Sequence, residues 1–197
     1  GASSGIGEEL ARQLDRAGAR LILSARNVQK LDVLKESLQQ SDKHMVLPLD
    51  LAATSNLSVL TQQVVSHFGR IDVLINNAGA LEVKGFEQTN ELDFVDMLQS
   101  NFLSHVRMIQ GLLPEMNSPA HILNIGSMGG FQGSVKFPGL SAYSASKAAL
   151  HTLTECLALE LADRKIKVNC LALGSAQTEM LEKAFPGYES PVMAFEM

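Results

Sequence analysis

Apolar residues recur at helical spacing at Ile6, Leu10, Leu14 and Ala17, and Gly18 stands where that helix should close. RLILSA (20–25) is a nearly continuous apolar run and predicts a short strand. The stripe Leu31, Leu34, Leu38 predicts a second helix from Val28 to about Gln40, and HMVLPLD (44–50) predicts the next strand. Leu57, Leu60, Val64 and Phe68 mark a third helix closed by Gly69, and IDVLIN (71–76) is an apolar strand running into NNAG. Phe94, Val95, Leu98, Phe102, Val106, Ile109 and Leu113 predict one long helix over 90–113, stopped by Pro114. HILNIG (121–126) predicts a strand, a glycine-rich loop follows from Met128 to Leu140, then a helix over about 142–162 and a strand at IKVNCLA (166–172).

Strands that are apolar throughout, rather than alternating, are covered on both faces. With crossover helices between them they predict an α/β fold, a parallel sheet with helices on both faces. No repeat, low-complexity tract or linker divides the pattern, so residues 1–197 are expected to form a single domain.

The 46% apolar and 19% charged composition excludes a disordered chain. A formal net charge of -5 offers no basic field for a phosphate backbone, so nucleic acid is not expected as a partner. Cys156 and Cys170 make neither a disulfide framework nor a metal motif, and the five histidines share no ligand spacing, so no metal is expected. No apolar run approaches the roughly 20 residues that span a bilayer. A soluble, cytoplasmic protein without membrane contact is the expectation.

GASSGIG sets Gly1, Gly5 and Gly7 immediately before a helix, where backbone N–H groups and the positive end of the helix dipole can meet a pyrophosphate. Taken alone, such a turn is as often only a tight connection. After the next strand, Ala25 precedes Arg26; an acidic residue there would bind a free ribose 2′-hydroxyl, whereas a guanidinium suits a 2′-phosphate. Asn76, Asn77, Ala78 and Gly79 close a strand at the edge where ligands sit in parallel sheets, or form an ordinary strand-to-loop turn. Tyr143 and Lys147 share a helical face, so an ammonium can lie near the phenol and draw its pKa down from about 10. Such a pair in isolation is more often a solvated surface pair. Ser127, past its strand, and Asn101, inside the long helix, say little individually.

Together these residues resemble the short-chain dehydrogenase/reductase family, whose pattern runs TGxxxGxG, NNAG, a helix Asn, a Ser, then YxxxK. They stand here as Gly1, Gly5 and Gly7, then Asn76 to Gly79, Asn101, Ser127, and Tyr143 with Lys147, in order and on the expected elements. SAYSASKAAL and IKVNCLALG extend the likeness, which covers essentially the whole chain. The resemblance implies a Rossmann-type doubly wound sheet that binds a nicotinamide dinucleotide, and hydride transfer to or from a carbonyl or alcohol carbon. It implies catalytic roles for Asn101, Ser127, Tyr143 and Lys147. Tyr143 would exchange the proton and Ser127 would hold the substrate oxygen. Lys147 would lower the Tyr143 pKa and hold the nicotinamide ribose, while Asn101 would break its helix and hold a relay water. It further implies cofactor contacts at Gly1, Ser3, Ser4, Gly5, Ile6, Gly7, Arg26, Asp50, Leu51, Asn77, Ala78, Gly79, Gly174 and Thr178, besides Tyr143 and Lys147. Asp50 would meet the adenine, Asn76 and Ala78 would line the adenosine side, and Thr178 would hold the carboxamide.

Arg26 without an acidic neighbour resembles the subgroup that prefers NADP(H), with NAD(H) the alternative. The chain departs from the family pattern in three places. The family's first Thr and first strand do not stand before Gly1, so a gap in the sheet is expected, as is failure of a chain starting at Gly1 to fold alone. Ser127 and Tyr143 are further apart than is usual, so the loop holding Phe131, Ser134, Lys136 and Phe137 is expected to be distinctive and to contribute to the substrate pocket. Leu173-Gly174 replaces a Pro-Gly, which removes rigidity. The family's last strand and helix would follow Met197. Apolar faces on the two long helices imply a homodimer or homotetramer. The function expected is an NADP(H)-linked carbonyl reductase or alcohol dehydrogenase acting on a small molecule, 3-oxoacyl thioesters being one substrate class. The rivals are a nucleotide-binding scaffold without turnover and an NAD-dependent enzyme of the same fold.

Overall fold

A computed structural model describes residues 1–50 and 57–194 of the chain. Two compact units are distinguished, one comprising Gly1–Asp50, Asn77–Gly79 and Ser175–Met197, the other Leu51–Asn76 and Ala80–Gly174. Every strand pairing within a named sheet is parallel, and helices alternate with strands, as the periodicity predicts.

The first unit opens with α1 (Gly5–Arg16), followed by β1 (Ile22–Ala25), α2 (Val28–Ser37) and β2 (Met45–Pro48). β1 and β2 form a two-stranded parallel ladder with Leu23 opposite Val46. Leu23, Ala11, Leu31, Leu34 and Leu38 make its core, so the apolar stripes read from the sequence are the buried faces of α1 and α2. Asn27 starts α2 by accepting the Lys30 N–H at 2.9 Å. The helix ends at Ser37 rather than near Gln40 because Asp15 takes the next free amides. Its carboxylate accepts from Gln39 N at 2.7 Å and Gln40 N at 3.1 Å, and meets His44 Nε2 at 2.9 Å. Burial raises the Asp15 pKa, but the bond from His44 and the two backbone amides outweigh it and hold the carboxyl below its usual value. A short helix (Glu179–Ala184) completes this unit.

The second unit contains α3 (Leu57–Phe68), β3 (Ile71–Asn76), α4 (Glu91–Leu98), α5 (Ser104–Leu112), β4 (Met116–Ile125), α6 (Ser141–Glu160) and β5 (Ile166–Leu171). Its sheet runs β3-β4-β5, with Leu74, Ile122 and Val168 in register and all buried. The described strands thus pair in two ladders, one in each unit.

The region expected as one helix over 90–113 is α4, a five-residue π-turn (Gln99–Leu103) and α5. A capping box between Asn90 and Asp93 starts α4. The π-turn holds Asn101, whose side chain is fully buried and bonded outside its own helix, and such single-turn bulges favour functional positions. β4 begins five residues earlier than HILNIG suggests, at Met116.

Candidate active site

In the first unit the glycine turn fits an anion-binding role by two observations. Ser4, the N-cap of α1, makes no side-chain cap bond, so the first-turn amides of this twelve-residue helix have no hydroxyl competing for them. Gly7 is buried so tightly that an added Cβ would collide with the Gly1 carbonyl oxygen and lie 2.5 Å from Asn77 Nδ2. Asn77 Nδ2 donates to that same carbonyl at 2.8 Å, tying the NNAG segment to the turn. At Gly1 a Cβ would lie 2.7 Å from Ala78 N. Gly1, Gly7, Asn77 and Ala78 are therefore brought together, with Ser3, Gly5 and Ile6 in the same turn and Gly79 following directly.

Arg26 is exposed immediately after β1, and Asp50 is exposed just after β2. Leu51 lies outside the described residues. Thr178 approaches Gly5 through its methyl, 3.2 Å from the position a Gly5 Cβ would take. Its hydroxyl accepts from Leu181 N at 3.2 Å as the N-cap of the Glu179–Ala184 helix.

The second unit assembles the other four residues. Tyr143 and Lys147 stand one turn apart on α6, and Ser127 lies beside the Tyr143 ring: a Cβ built on Gly129 would be 3.4 Å from Ser127 Oγ and 3.9 Å from Tyr143 Cε1. Ser127 follows the end of β4, where its Oγ also accepts from Gly129 N at 3.1 Å. Lys147 is buried and donates from Nζ to the Ile125 carbonyl at 2.7 Å. Asn101 Oδ1 accepts from Ala80 N at 2.8 Å; its Nδ2 donates to Ala80 O at 3.0 Å and to Ser146 Oγ at 3.1 Å, the residue before Lys147. Both amide protons of Asn101 are thus engaged with protein atoms. Its side chain crosslinks the loop after NNAG to α6.

The electrostatics correct one expectation. Burial pushes the Tyr143 phenol above its ordinary value, and the nearby Ser127 hydroxyl only partly offsets this. Lys147 itself is driven by burial from 10.5 down to about 8, with a smaller opposing pull from Cys170. The depressed phenol expected from a neighbouring ammonium is not found, because desolvation dominates and the ammonium is directed at Ile125.

The long loop after Ser127 is organised by Lys136, whose Nζ donates to Gly129 O at 2.9 Å, Phe131 O at 2.6 Å and Ser134 Oγ at 2.8 Å. Phe131, Val135 and Phe137 remain exposed on it. Leu173 O accepts from Met128 N at 2.8 Å, so the segment lacking the family's proline is anchored at the residue before Gly174.

The family model for short chain dehydrogenases matches residues 1–189. The chain belongs to the short-chain dehydrogenase/reductase family. Members are NAD(P)(H)-linked oxidoreductases acting on CH–OH and C=O groups. An uncharacterized oxidoreductase of Staphylococcus epidermidis is 34% identical over 184 residues, 92% of this chain and 78% of that protein. A fatty acyl-CoA reductase of Acinetobacter baylyi is 34% identical over 186 residues, 92% of this chain but 62% of its own length. A short-chain dehydrogenase from Shigella flexneri, solved in complex with NADP, superposes with a TM-score of 0.89 at 31% identity, over 99% of this chain and 84% of that one. The fold is accordingly Rossmann-like.

Within this short-chain dehydrogenase/reductase, sequence reasoning passed over two polar neighbours of the motif residues. Ser146 bonds Asn101, and His151 reaches the backbone of Ser127 with Nε2 3.2 Å from the carbonyl oxygen. Only spacing could have singled out His151, which stands four residues after Lys147 and so on the same helical face. The same spacing occurs at many silent helix positions.

Proposed function

We propose that the protein reduces a carbonyl substrate with NADPH, or oxidises the matching alcohol with NADP, using Tyr143 as acid or base. The observation that carries this reading is that Ser127 and Tyr143 face one point: a Cβ built on Gly129 would lie 3.4 Å from Ser127 Oγ and 3.9 Å from the Tyr143 ring. A hydroxyl pair of this kind offers two donors to one substrate oxygen.

When bound, the dinucleotide supplies or accepts the hydride. Gly1, Ser3, Ser4, Gly5, Ile6 and Gly7 would hold its pyrophosphate, a role supported by the uncapped α1 N-terminus and by the tight turn that Gly7 permits against the Gly1 carbonyl. Asp50, Asn77, Ala78 and Gly79 would line the adenosine side, and Thr178 the nicotinamide end. Arg26, exposed after β1, would pair with the 2′-phosphate and favour NADP(H) over NAD(H).

In reduction, Ser127 donates to the carbonyl oxygen while Tyr143 gives its proton to that oxygen as negative charge develops. A phenol held above its ordinary value stays protonated at working pH, which suits this acid role. Lys147, at about 8, is near enough to neutrality to return a proton to the phenolate. Since the Asn101 amide is already bonded to Ala80 and Ser146, a relay water would be held by π-turn carbonyls rather than by this side chain.

Exposed Phe131, Val135 and Phe137 favour a substrate with an apolar body. Exposed Leu92, Val95 and Leu159 on α4 and α6 fit a second copy of the chain, as a homodimer or homotetramer. The test is a panel of aldehydes, ketones and acyl thioesters followed by nicotinamide absorbance with NADPH and with NADH. Turnover of one class, faster with NADPH, supports the reading. Tight NADPH binding without turnover of any class overturns it.

A further inference from the structure

α6 carries two side chains, one helical turn apart, that grip the end of β4 on either side of Gly126. Lys147 Nζ donates to the carbonyl of Ile125 at 2.7 Å. His151 Nε2 lies 3.2 Å from the carbonyl oxygen of Ser127 and 3.5 Å from its amide nitrogen. When Nε2 carries a proton it donates to the carbonyl; when it does not, it accepts from the amide. Ser127 therefore has a partner on His151 in either state.

The surroundings hold the ring at this contact. An added Cβ on Gly126 would lie 2.7 Å from His151 Nε2 and 2.6 Å from Cys170 Sγ, so only a residue without a side chain leaves room for the imidazole. Phe131 packs its ring edgewise against His151, with centroids 5.9 Å apart and planes at 73°. The imidazole is thus fixed between the glycine ahead of Ser127 and the loop behind it.

We propose that His151 is a positioning residue for Ser127. It holds the Ser127 backbone so that the hydroxyl keeps its place beside the Tyr143 ring, and α6 thereby sets both members of the proton-handling pair. Tyr143 lies on this helix directly, and Ser127 is fastened to it two turns on. The inference rests on the reading of Ser127 as the group that holds the substrate oxygen. A loosened Ser127 turn would misplace the hydroxyl without touching the cofactor. Misplacement on the ångström scale costs about a hundredfold in rate, so a partial loss of hold should lower kcat by roughly ten- to a hundredfold.

The experiment compares His151→Leu, His151→Asn and His151→Gln in the intact protein, each alone and combined with Ser127→Ala. Expected are a kcat loss for Leu and for the shorter Asn, unchanged NADPH affinity and substrate KM, and recovery of most of kcat by Gln, whose amide can reach the same carbonyl. In the Ser127→Ala background His151→Leu should cost nothing further, because there is no hydroxyl left to place. Should Leu not fold, the Asn and Gln pair reads the same contrast. Equal loss in both backgrounds, or no loss in either, overturns the proposal. If Ser127→Ala itself leaves kcat unchanged, the reading of Ser127 fails first, and this is visible before any His151 variant is measured.

Discussion

Asn101 holds both backbone groups of Ala80, accepting from its N–H at 2.8 Å and donating to its C=O at 3.0 Å, from within a π-turn that splits α4 from α5. An amide that mimics a strand partner in this way substitutes for a missing ladder. Asn101→Leu would strand those two groups, while the Ser146 hydroxyl keeps its bond to the Tyr143 carbonyl. A loss on the order of 3 kcal/mol in unfolding free energy is expected, since each orphaned buried group costs about 1 to 3 kcal/mol. Urea titration of the two proteins measures it; Asn101→Asp should be intermediate, because it keeps only the acceptor.

Lys147 gives a pH dependence whose sign follows from its lowered value. Folded Lys147 loses its proton near 8, whereas the unfolded side chain holds it to 10.5. Between these values the unfolded chain binds more protons, so stability rises with pH across that window. Lys147→Met removes the group and the rise. Chemical denaturation at pH 7.5 and 9.5, below the range where Tyr143 titrates, should show wild type gaining on the variant as pH increases.

Gly7→Ala tests the anion-binding turn. The methyl would meet the Gly1 carbonyl and Asn77 Nδ2, pulling the turn apart. NADPH affinity should fall at least about tenfold, equivalent to roughly 1.4 kcal/mol, with little change in the affinity left for NADH relative to NADPH. Fluorescence titration of each reduced cofactor gives both numbers.

Arg26→Asp tests the cofactor preference separately. A charge-assisted bond to phosphate contributes about 1.5 to 3 kcal/mol, so NADPH should weaken by roughly ten- to a hundredfold while NADH holds or improves. Equal losses for both cofactors would mean that Arg26 does not meet the 2′-phosphate.

The alternation of helices and strands was legible because apolar spacing reports which faces are buried, and Leu23, Leu31, Leu34, Ile122 and Leu150 are among the most buried residues. The early stop of α2 was not, since it depends on Asp15 reaching amides more than twenty residues away. Nor was the split of the 90–113 helix, where the apolar stripe runs unbroken through a π-turn that changes register by one residue. The motif order pointed to Asn101, Ser127, Tyr143 and Lys147, which all fall in the second unit. The sequence could not weigh desolvation against charge at Tyr143, because burial is a property of the packed α6 and not of the Tyr-Lys spacing. His151 was hidden for the related reason that its partner is backbone, which leaves no residue signature.

The central claim is that Tyr143 delivers the proton that accompanies hydride transfer. Its most direct measurement follows deuterium from NADPH labelled at nicotinamide C4 into the product of the best carbonyl substrate, for wild type and Tyr143→Phe under single-turnover conditions. The account predicts one deuterium on the carbinol carbon, formed about a thousandfold more slowly by the variant, with NADPH affinity unchanged. Equal rates from the two proteins would contradict it.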